Sequence, residues 1–345
     1  MRDFARSIVR WQRQRGRRGM PWQGVRDPYR VWLSEIMLQQ TRVDAVTGYY
    51  LRFLARFPDV GALAQASQHE VLQLWSGLGY YARARNLHAA ARELVAARAG
   101  RFPRSAEALA ALPGVGRSTA AAIAAFAFGR RAAILDGNVK RVLARCFGVA
   151  GFPGETAVAR QLWMLAERLV PARGVRAYTQ GLMDLGATVC RRVRPLCGAC
   201  PVAAHCVALR EGRIAQLPAP RPRLALPLRK AHWLIALHAG RVLLERRPPS
   251  GLWGGLWAFP EAHGRDARAL GRAVGCEIAS LRRLPPLEHG FTHFRLRVQP
   301  LVCQVRRCTP RAEQGGRLWL DLADAAGSAV PAPVRTLLLR LAPGR

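Results

Sequence analysis

Lysine is almost missing from this chain. Only Lys140 and Lys230 stand among its 54 basic residues, so chemistry that needs a free amine has just Lys140 to draw on in residues 1–229. Acidic residues are scarce as well, 21 in all, which leaves a formal net charge of +33. Long apolar runs are absent. The smoothest stretch, Thr119 to Phe128, is too short to cross a bilayer, so no membrane partner is expected. The first twenty residues are studded with arginine and have no apolar core of the kind a signal peptide needs. A soluble cytoplasmic protein is therefore expected, and a monomer. Half the residues are hydrophobic and 22% charged, which excludes a disordered, collagen-like or coiled-coil chain.

What the chain does have is positive charge. A surface this basic attracts polyanions, nucleic acid first among them. The arginine bias also fits a GC-rich genome, so the charge counts for less than its sum. Residues 1–229 hold 36 basic against 13 acidic side chains and should dominate contact with a phosphate backbone.

At 345 residues, two domains are expected. Residues 1–206 read as helical, with apolar positions recurring at three and four, as in Val71, Leu72, Trp75 and Leu78, or Leu162, Leu165 and Leu169. Residues 207–229 carry Pro218, Pro220, Pro222 and Pro227 among arginines and read as an extended linker. From 230 to 345 the pattern is mixed. Strands are expected over Trp233–His238 and Val242–Glu245 around a Gly240 turn, and over Phe291–Val305, with a closing helix at Val334–Leu341. An all-α domain thus precedes a smaller α/β one.

Eight cysteines are present, and four fall close together as Cys190-x6-Cys197-x2-Cys200-x5-Cys206. In a chain of this kind such a cluster is a metal site rather than a disulfide framework. Zinc prefers paired knuckles or added histidines, whereas four thiolates at uneven spacing can wrap a 4Fe–4S cubane. The iron–sulfur reading is favoured, with zinc and free structural cysteines as its alternatives. Arg191, Arg192 and Arg194 make the loop a cationic projection, and Cys146, Cys276, Cys303 and Cys308 read as buried packing.

Leu112-Pro-Gly-Val-Gly116 lies between two helical segments, and its Gly114 and Gly116 let the backbone bring N–H groups to an anion at a helix start. With an aspartate twenty residues past Gly116, the pattern looks like the helix-hairpin-helix of base-excision glycosylases. That aspartate, Asp136, precedes a helix, where the dipole and free N–H groups should hold it ionised; by pattern alone it also reads as a plain N-cap. Glu35 is a lone acid on an apolar helix face with Val31, Trp32, Leu38 and Gln39, so its pKa should be raised and it can act as a general acid. Two carboxylates with separated pKa values suit cleavage of a glycosidic bond.

The chain resembles the adenine DNA glycosylases, the MutY family, nearly end to end. The resemblance rests on Pro21-Trp22, Trp32–Thr41, Gly77–Arg85, Leu112–Thr119, Leu135–Arg141, the four-cysteine loop, Pro248–Trp257 and Phe291-Thr-His293. It implies a helix-hairpin-helix glycosylase domain with an iron–sulfur loop, then a Nudix-like domain that recognises 8-oxoguanine. It also implies excision of adenine from double-stranded DNA mispaired with 8-oxoguanine or guanine. Glu35 would protonate adenine, Asp136 stabilise the sugar cation and Asn138 support the site. Trp22 would line the base pocket, and Tyr80 with Gln39 or Gln40 would probe beside 8-oxoguanine. Gly114, Gly116 and Ser118 belong to the DNA-binding hairpin, Thr292 and His293 to lesion recognition, and the four clustered cysteines to a 4Fe–4S cluster.

Ser118 stands where endonuclease III relatives carry the lysine nucleophile, so a monofunctional enzyme is expected rather than a bifunctional glycosylase/lyase. A non-catalytic iron–sulfur DNA-binding protein is the other rival, against which Glu35 and Asp136 both stand. Gly255-x5-Glu261 begins like a Nudix signature, but Ala269–Val274 replaces its acidic run, so Mg²⁺-dependent pyrophosphate hydrolysis is not expected.

Overall fold

Helix boundaries follow the punctuation of the sequence. Asp27 precedes the helix Pro28–Leu38 in extended backbone and its carboxylate accepts the Arg30 N–H at 2.8 Å, while Pro28 fills the first turn, where no N–H is needed. Ser105 caps Ala106–Ala110 in the same way. Gly129 and Gly148, both left-handed, close Arg117–Phe128 and Gly137–Phe147.

The computed structural model describes residues 2–222, 225–262, 267–308 and 316–342. They divide into two compact units: Met1–Gln65 with Asn86–Arg223, and Ala66–Arg85 with Leu224–Arg345. The first unit is helical. Its core gathers about the helix Gly137–Phe147, whose Val139, Val142, Leu143 and Cys146 pack with Ile8, Leu162 and Leu185.

Residues expected as an extended linker are in part held in this core. Val207–Arg210 forms a helical turn, Ala208 and Leu217 are buried, and the Leu217 carbonyl accepts the Arg145 Nε–H at 2.8 Å. Apolar side chains ahead of the prolines draw this part of the segment into the core.

The second unit holds one mixed sheet built from β1 (Leu228–His238), β2 (Arg241–Arg246), β3 (Trp257–Ala258), β4 (Cys276–Arg283), β5 (Leu287–Gly290), β6 (Arg295–Cys308) and β7 (Arg317–Asp321). Strand order is β3-β2-β1-β6-β4, with β5 also on β6 and β7 also on β2. The β1–β2 hairpin expected around Gly240 is there, with Ala239 and Gly240 both at positive φ as a tight primed turn requires. It joins only Leu237 to Val242 and His238 to Arg241; β1 also runs parallel to β6 over its length, and β2 antiparallel to β7. Both faces are covered. Trp233, Ile235, Val242 and Leu244 point to one core, with Val334, Leu337 and Leu338 of the helix Ala332–Leu341. Leu234, Ala236, Leu243 and Cys303 point to the other, with Leu270 and Val274 of the helix Ala267–Val274. A strand buried on both sides needs an unbroken apolar run, which is what Trp233–Leu237 supplies.

In the first unit the turn between Ala106–Ala110 and Arg117–Phe128 is closed by the Val115 N–H bonding the Leu112 carbonyl. Gly114 has φ +74, and a Cβ placed there would lie 2.6 Å from the Asn86 Cβ. Gly114→Ala should therefore cost about 1–3 kcal/mol of stability, read as a lowered urea midpoint by far-UV circular dichroism. Gly116→Ala, where an added Cβ meets nothing within 4 Å, should cost less.

Candidate active site

Glu35 sits on the helix Pro28–Leu38 and opens onto a cavity of about 610 Å³ in the first unit. Trp22, Val31, Ser34 and Leu38 wall it from one side, Gln180 and Met183 from another. The indole of Trp22 is buried and meets the Tyr50 ring edge-on at 5.3 Å. An ion pair fixes the wall: Asp184, fully buried, accepts the Arg17 Nε–H at 2.7 Å and the Gln180 side-chain amide at 2.9 Å. Burial pushes the Glu35 carboxyl up to about 8, and the charge of Asp136 adds to the effect. Glu35 is therefore largely protonated at neutral pH.

Asp136 is the N-cap of Gly137–Phe147 and accepts the Val139 N–H at 2.7 Å. It does not itself line the cavity; its field reaches Glu35. Its carboxyl is raised rather than simply held down by the helix start, because burial outweighs the backbone N–H bonds, Arg141 and the Asn138 side chain that favour the anion. Burial raises both carboxyls, and the charge of Asp136 raises Glu35 further.

Three further side chains complete the loop, and sequence reasoning gave only one of them its place. Asn138 Oδ1 accepts from Arg141 Nη2 at 2.9 Å, and Asn138 packs so closely on Gly186 that a Cβ there would come within 2.5 Å of the Asn138 Cβ and 3.0 Å of its Cα. Arg141, not singled out from sequence, also donates to the Gly186 and Cys190 carbonyls, both at 2.7 Å. Ser118, expected in the DNA-binding hairpin, turns its hydroxyl inward and accepts the Leu135 N–H at 2.9 Å, one residue before Asp136.

The remaining candidates fall into two groups. In the first unit, Gln39 donates to Thr119 Oγ1 at 3.2 Å and Gln40 is exposed with φ +56. Gly116 caps Arg117–Phe128 without a side-chain acceptor, and Gly114 and Gly116 are both exposed, which suits an anion at the helix start. In the second unit, Tyr80 has φ +50 and is 50% exposed. Thr292 and His293 are the exposed central residues of the β5–β6 hairpin, closed by Phe291 N–H bonding the Phe294 carbonyl at 2.9 Å. The Phe291 and Phe294 rings stack at 4.5 Å beneath them. The strand expected to start at Phe291 thus starts at Arg295, because residues 291–294 make the turn.

Cys190, Cys197, Cys200 and Cys206 line one pocket together with Arg145 and the buried Cys146. Among the described residues, no three His, Cys, Asp or Glu side chains converge as a single metal ion requires. Arg145 Nη1 lies 3.5 Å from Cys190 Sγ, and a hydrogen bond from the Cys146 thiol lowers Cys206 to about 6. Burial instead pushes Cys200 up to about 11 and raises Cys197 as well.

Residues 33–168 match the HhH-GPD superfamily of base excision DNA repair proteins, and residues 231–340 match the NUDIX domain. The chain is 31% identical to the adenine DNA glycosylase of Buchnera aphidicola subsp. Acyrthosiphon pisum, over 97% of this chain and 96% of that protein. It is 35% identical to the adenine DNA glycosylase of Mus musculus, over 95% and 75% respectively. The chain belongs to the adenine DNA glycosylases. A solved thermostable thymine-DNA glycosylase is similar to it at 32% identity and TM-score 0.54, covering 60% of this chain and 95% of that one. An endonuclease III–DNA complex at 20% identity and TM-score 0.52 shares the fold, covering 61% and 94%.

In this glycosylase the Nudix-like domain has no described acidic helix: Ala267–Val274 carries no acidic residue, and Glu261 is paired with Arg247 at 2.7 Å. No described helix is long and apolar enough to cross a membrane.

Folding raises Glu35 from an ordinary 4.5 to about 8. Its contribution to stability is complete below about pH 4.5 and is lost as pH rises through 8, since the folded chain must then bury a charge. Glu35→Gln carries no charge at any pH. Its stability advantage over the parent should grow by more than about 1 kcal/mol between pH 5 and pH 8.5, read from urea midpoints across that range.

Proposed function

We propose that this glycosylase removes adenine mispaired with 8-oxoguanine or guanine in double-stranded DNA, leaving an abasic site and an uncut strand. The observation that carries the reading is a protonated Glu35 in a cavity beside Trp22, within the field of a capped Asp136. Neutral adenine is a poor leaving group. Glu35 donates its proton to the flipped base as the bond to the sugar breaks, and the bonding pair departs with the base. Asp136 stabilises the positive charge left on the sugar. Water then adds at the sugar carbon and releases its proton to solvent.

Asn138, Arg141 and Ser118 keep the Asp136 loop in place, and Trp22 walls the base pocket. The exposed start of Arg117–Phe128 suits a backbone phosphate. Cys190, Cys197, Cys200 and Cys206 would hold a 4Fe–4S cluster, which when bound supplies a covalent clamp on the arginine-bearing loop. On the lesion side, Tyr80 and the Thr292–His293 hairpin tip present an aromatic ring, a hydroxyl and an imidazole. These suit a stacked base and the edge atoms by which 8-oxoguanine differs from guanine.

Glu35→Gln should lower the single-turnover rate on an 8-oxoguanine:adenine duplex at least a hundredfold, on the order of the gain from general-acid catalysis, while duplex binding stays close to that of the parent. A near-parental rate would remove Glu35 from the role. Strand cleavage should appear only after alkali, with no efficient borohydride trapping, because Lys140 donates to the Pro153 carbonyl and no other amine side chain exists in the first unit. Thr292→Ala with His293→Ala should lower the preference for 8-oxoguanine:adenine over guanine:adenine, each contact being worth about 1–3 kcal/mol. An unchanged ratio of single-turnover rates would move recognition off this hairpin.

A further inference from the structure

The segment Ala66–Arg85 belongs to the second unit, not to the helical one around it in sequence. Its ties to the rest of that unit span some of the longest separations in the chain. Ser76, buried, accepts Arg335 Nη2 at 2.6 Å and donates to the Val330 carbonyl at 3.2 Å. Tyr81, also buried, donates its hydroxyl to the same Val330 carbonyl at 3.3 Å and accepts the Gly77 N–H at 3.3 Å. Arg85 Nη1 donates to the Gly254 carbonyl at 2.8 Å. At left-handed Gly255, an added Cβ would stand 3.3 Å from Leu72.

Between Ser76 and Tyr81 the backbone is under tight control. Gly77, Tyr80 and Gly79 all have positive φ. The Gly79 carbonyl accepts from both Trp75 Nε1 and Arg83 Nη2 at 3.1 Å, and the Arg83 guanidinium lies 5.4 Å from the Tyr80 ring centre. A non-glycine residue in the left-handed region persists only where its surroundings hold it there. The surroundings here are anchored at both ends of the turn to the carbonyl of Val330, and Arg335 clamps that anchor from the helix Ala332–Leu341.

We propose that Arg335, acting with Ser76 on the Val330 carbonyl, is a positioning residue that holds the Gly77–Tyr81 turn and so sets how far Tyr80 distinguishes 8-oxoguanine from guanine. The C-terminal part of the chain then governs lesion preference by a second route, apart from the Thr292–His293 hairpin. This rests on the reading of Tyr80 as a probe of the opposite base. Arg335 touches neither DNA nor the reacting atoms in this assignment; it acts through the turn.

The test is a double-mutant cycle on the full-length protein with its cofactor. Single-turnover excision is measured on 8-oxoguanine:adenine and guanine:adenine duplexes for the parent, Arg335→Met, Tyr80→Ala and the pair. Arg335→Met should lower the 8-oxoguanine preference about fivefold, and that loss should vanish in the Tyr80→Ala background. Arg335→Lys, which keeps a donor toward Ser76, should recover part of the preference. Ser76→Ala removes the clamp from its other side, should reproduce the loss, and carries the test if Arg335→Met does not fold. Equal losses with and without Tyr80, or a preference that does not move, overturn the inference. Absence of adenine excision by the parent, or a ratio indifferent to Tyr80→Ala, would instead overturn the functional reading beneath it.

Discussion

The helical unit depends on one helix, Gly137–Phe147, used at both ends. Its N-terminus fixes Asp136 through the Val139 N–H, and its later turns present Arg145 and Cys146 to the cysteine loop. Arg141, midway along, spends its guanidinium on the Asn138 side chain and on the carbonyls of Gly186 and Cys190. Arg145 does the same with the carbonyls of Leu217, Arg191 and Arg192. Guanidinium groups this far from solvent are costly unless every donor direction meets an acceptor. The cysteine loop provides three of those acceptors, the carbonyls of Cys190, Arg191 and Arg192. Loop and carboxylate are thereby mechanically joined: a shift of the loop changes the carbonyls that hold Arg141, and Arg141 holds the residue next but one to Asp136.

The two carboxylates have opposite demands, and the fold meets each locally. Glu35 lines a cavity in the first unit, where burial and the charge of Asp136 push its carboxyl up to about 8. Asp136 is buried too, and the helix start and Arg141 offset only part of the cost of its charge.

The second unit answers a different constraint. A sheet covered on both faces leaves only strand ends and hairpin tips free to meet a ligand. The Thr292–His293 tip is one such place, stiffened by the stacked Phe291 and Phe294 rings, with Trp253 and His289 packed on Phe291. The Tyr80 turn is another, although it arrives from far earlier in the chain.

Much of this was legible in the residues alone. Asp27-Pro28, Ser105 and Asp136 announce helix starts because a short polar side chain can satisfy free N–H groups within its own few residues. The positive charge, the four-cysteine spacing and the Glu35 setting are local or additive properties too, and a linear text carries them. The text does not carry which distant partner each group meets. That β1 lies beside β6 rather than mainly beside β2, that Leu217 beyond the cysteines packs into the helical core, and that Ser118 turns inward to Leu135 are decided by packing across long separations. So is burial, which reverses the direction expected for Asp136. The transfer of Ala66–Arg85 to the second unit is the clearest instance. Its helical periodicity is indistinguishable from that of its neighbours, and only the hydrogen bonds to Val330, Arg335 and Gly254 assign it, since no short-range rule specifies a contact some 250 residues away.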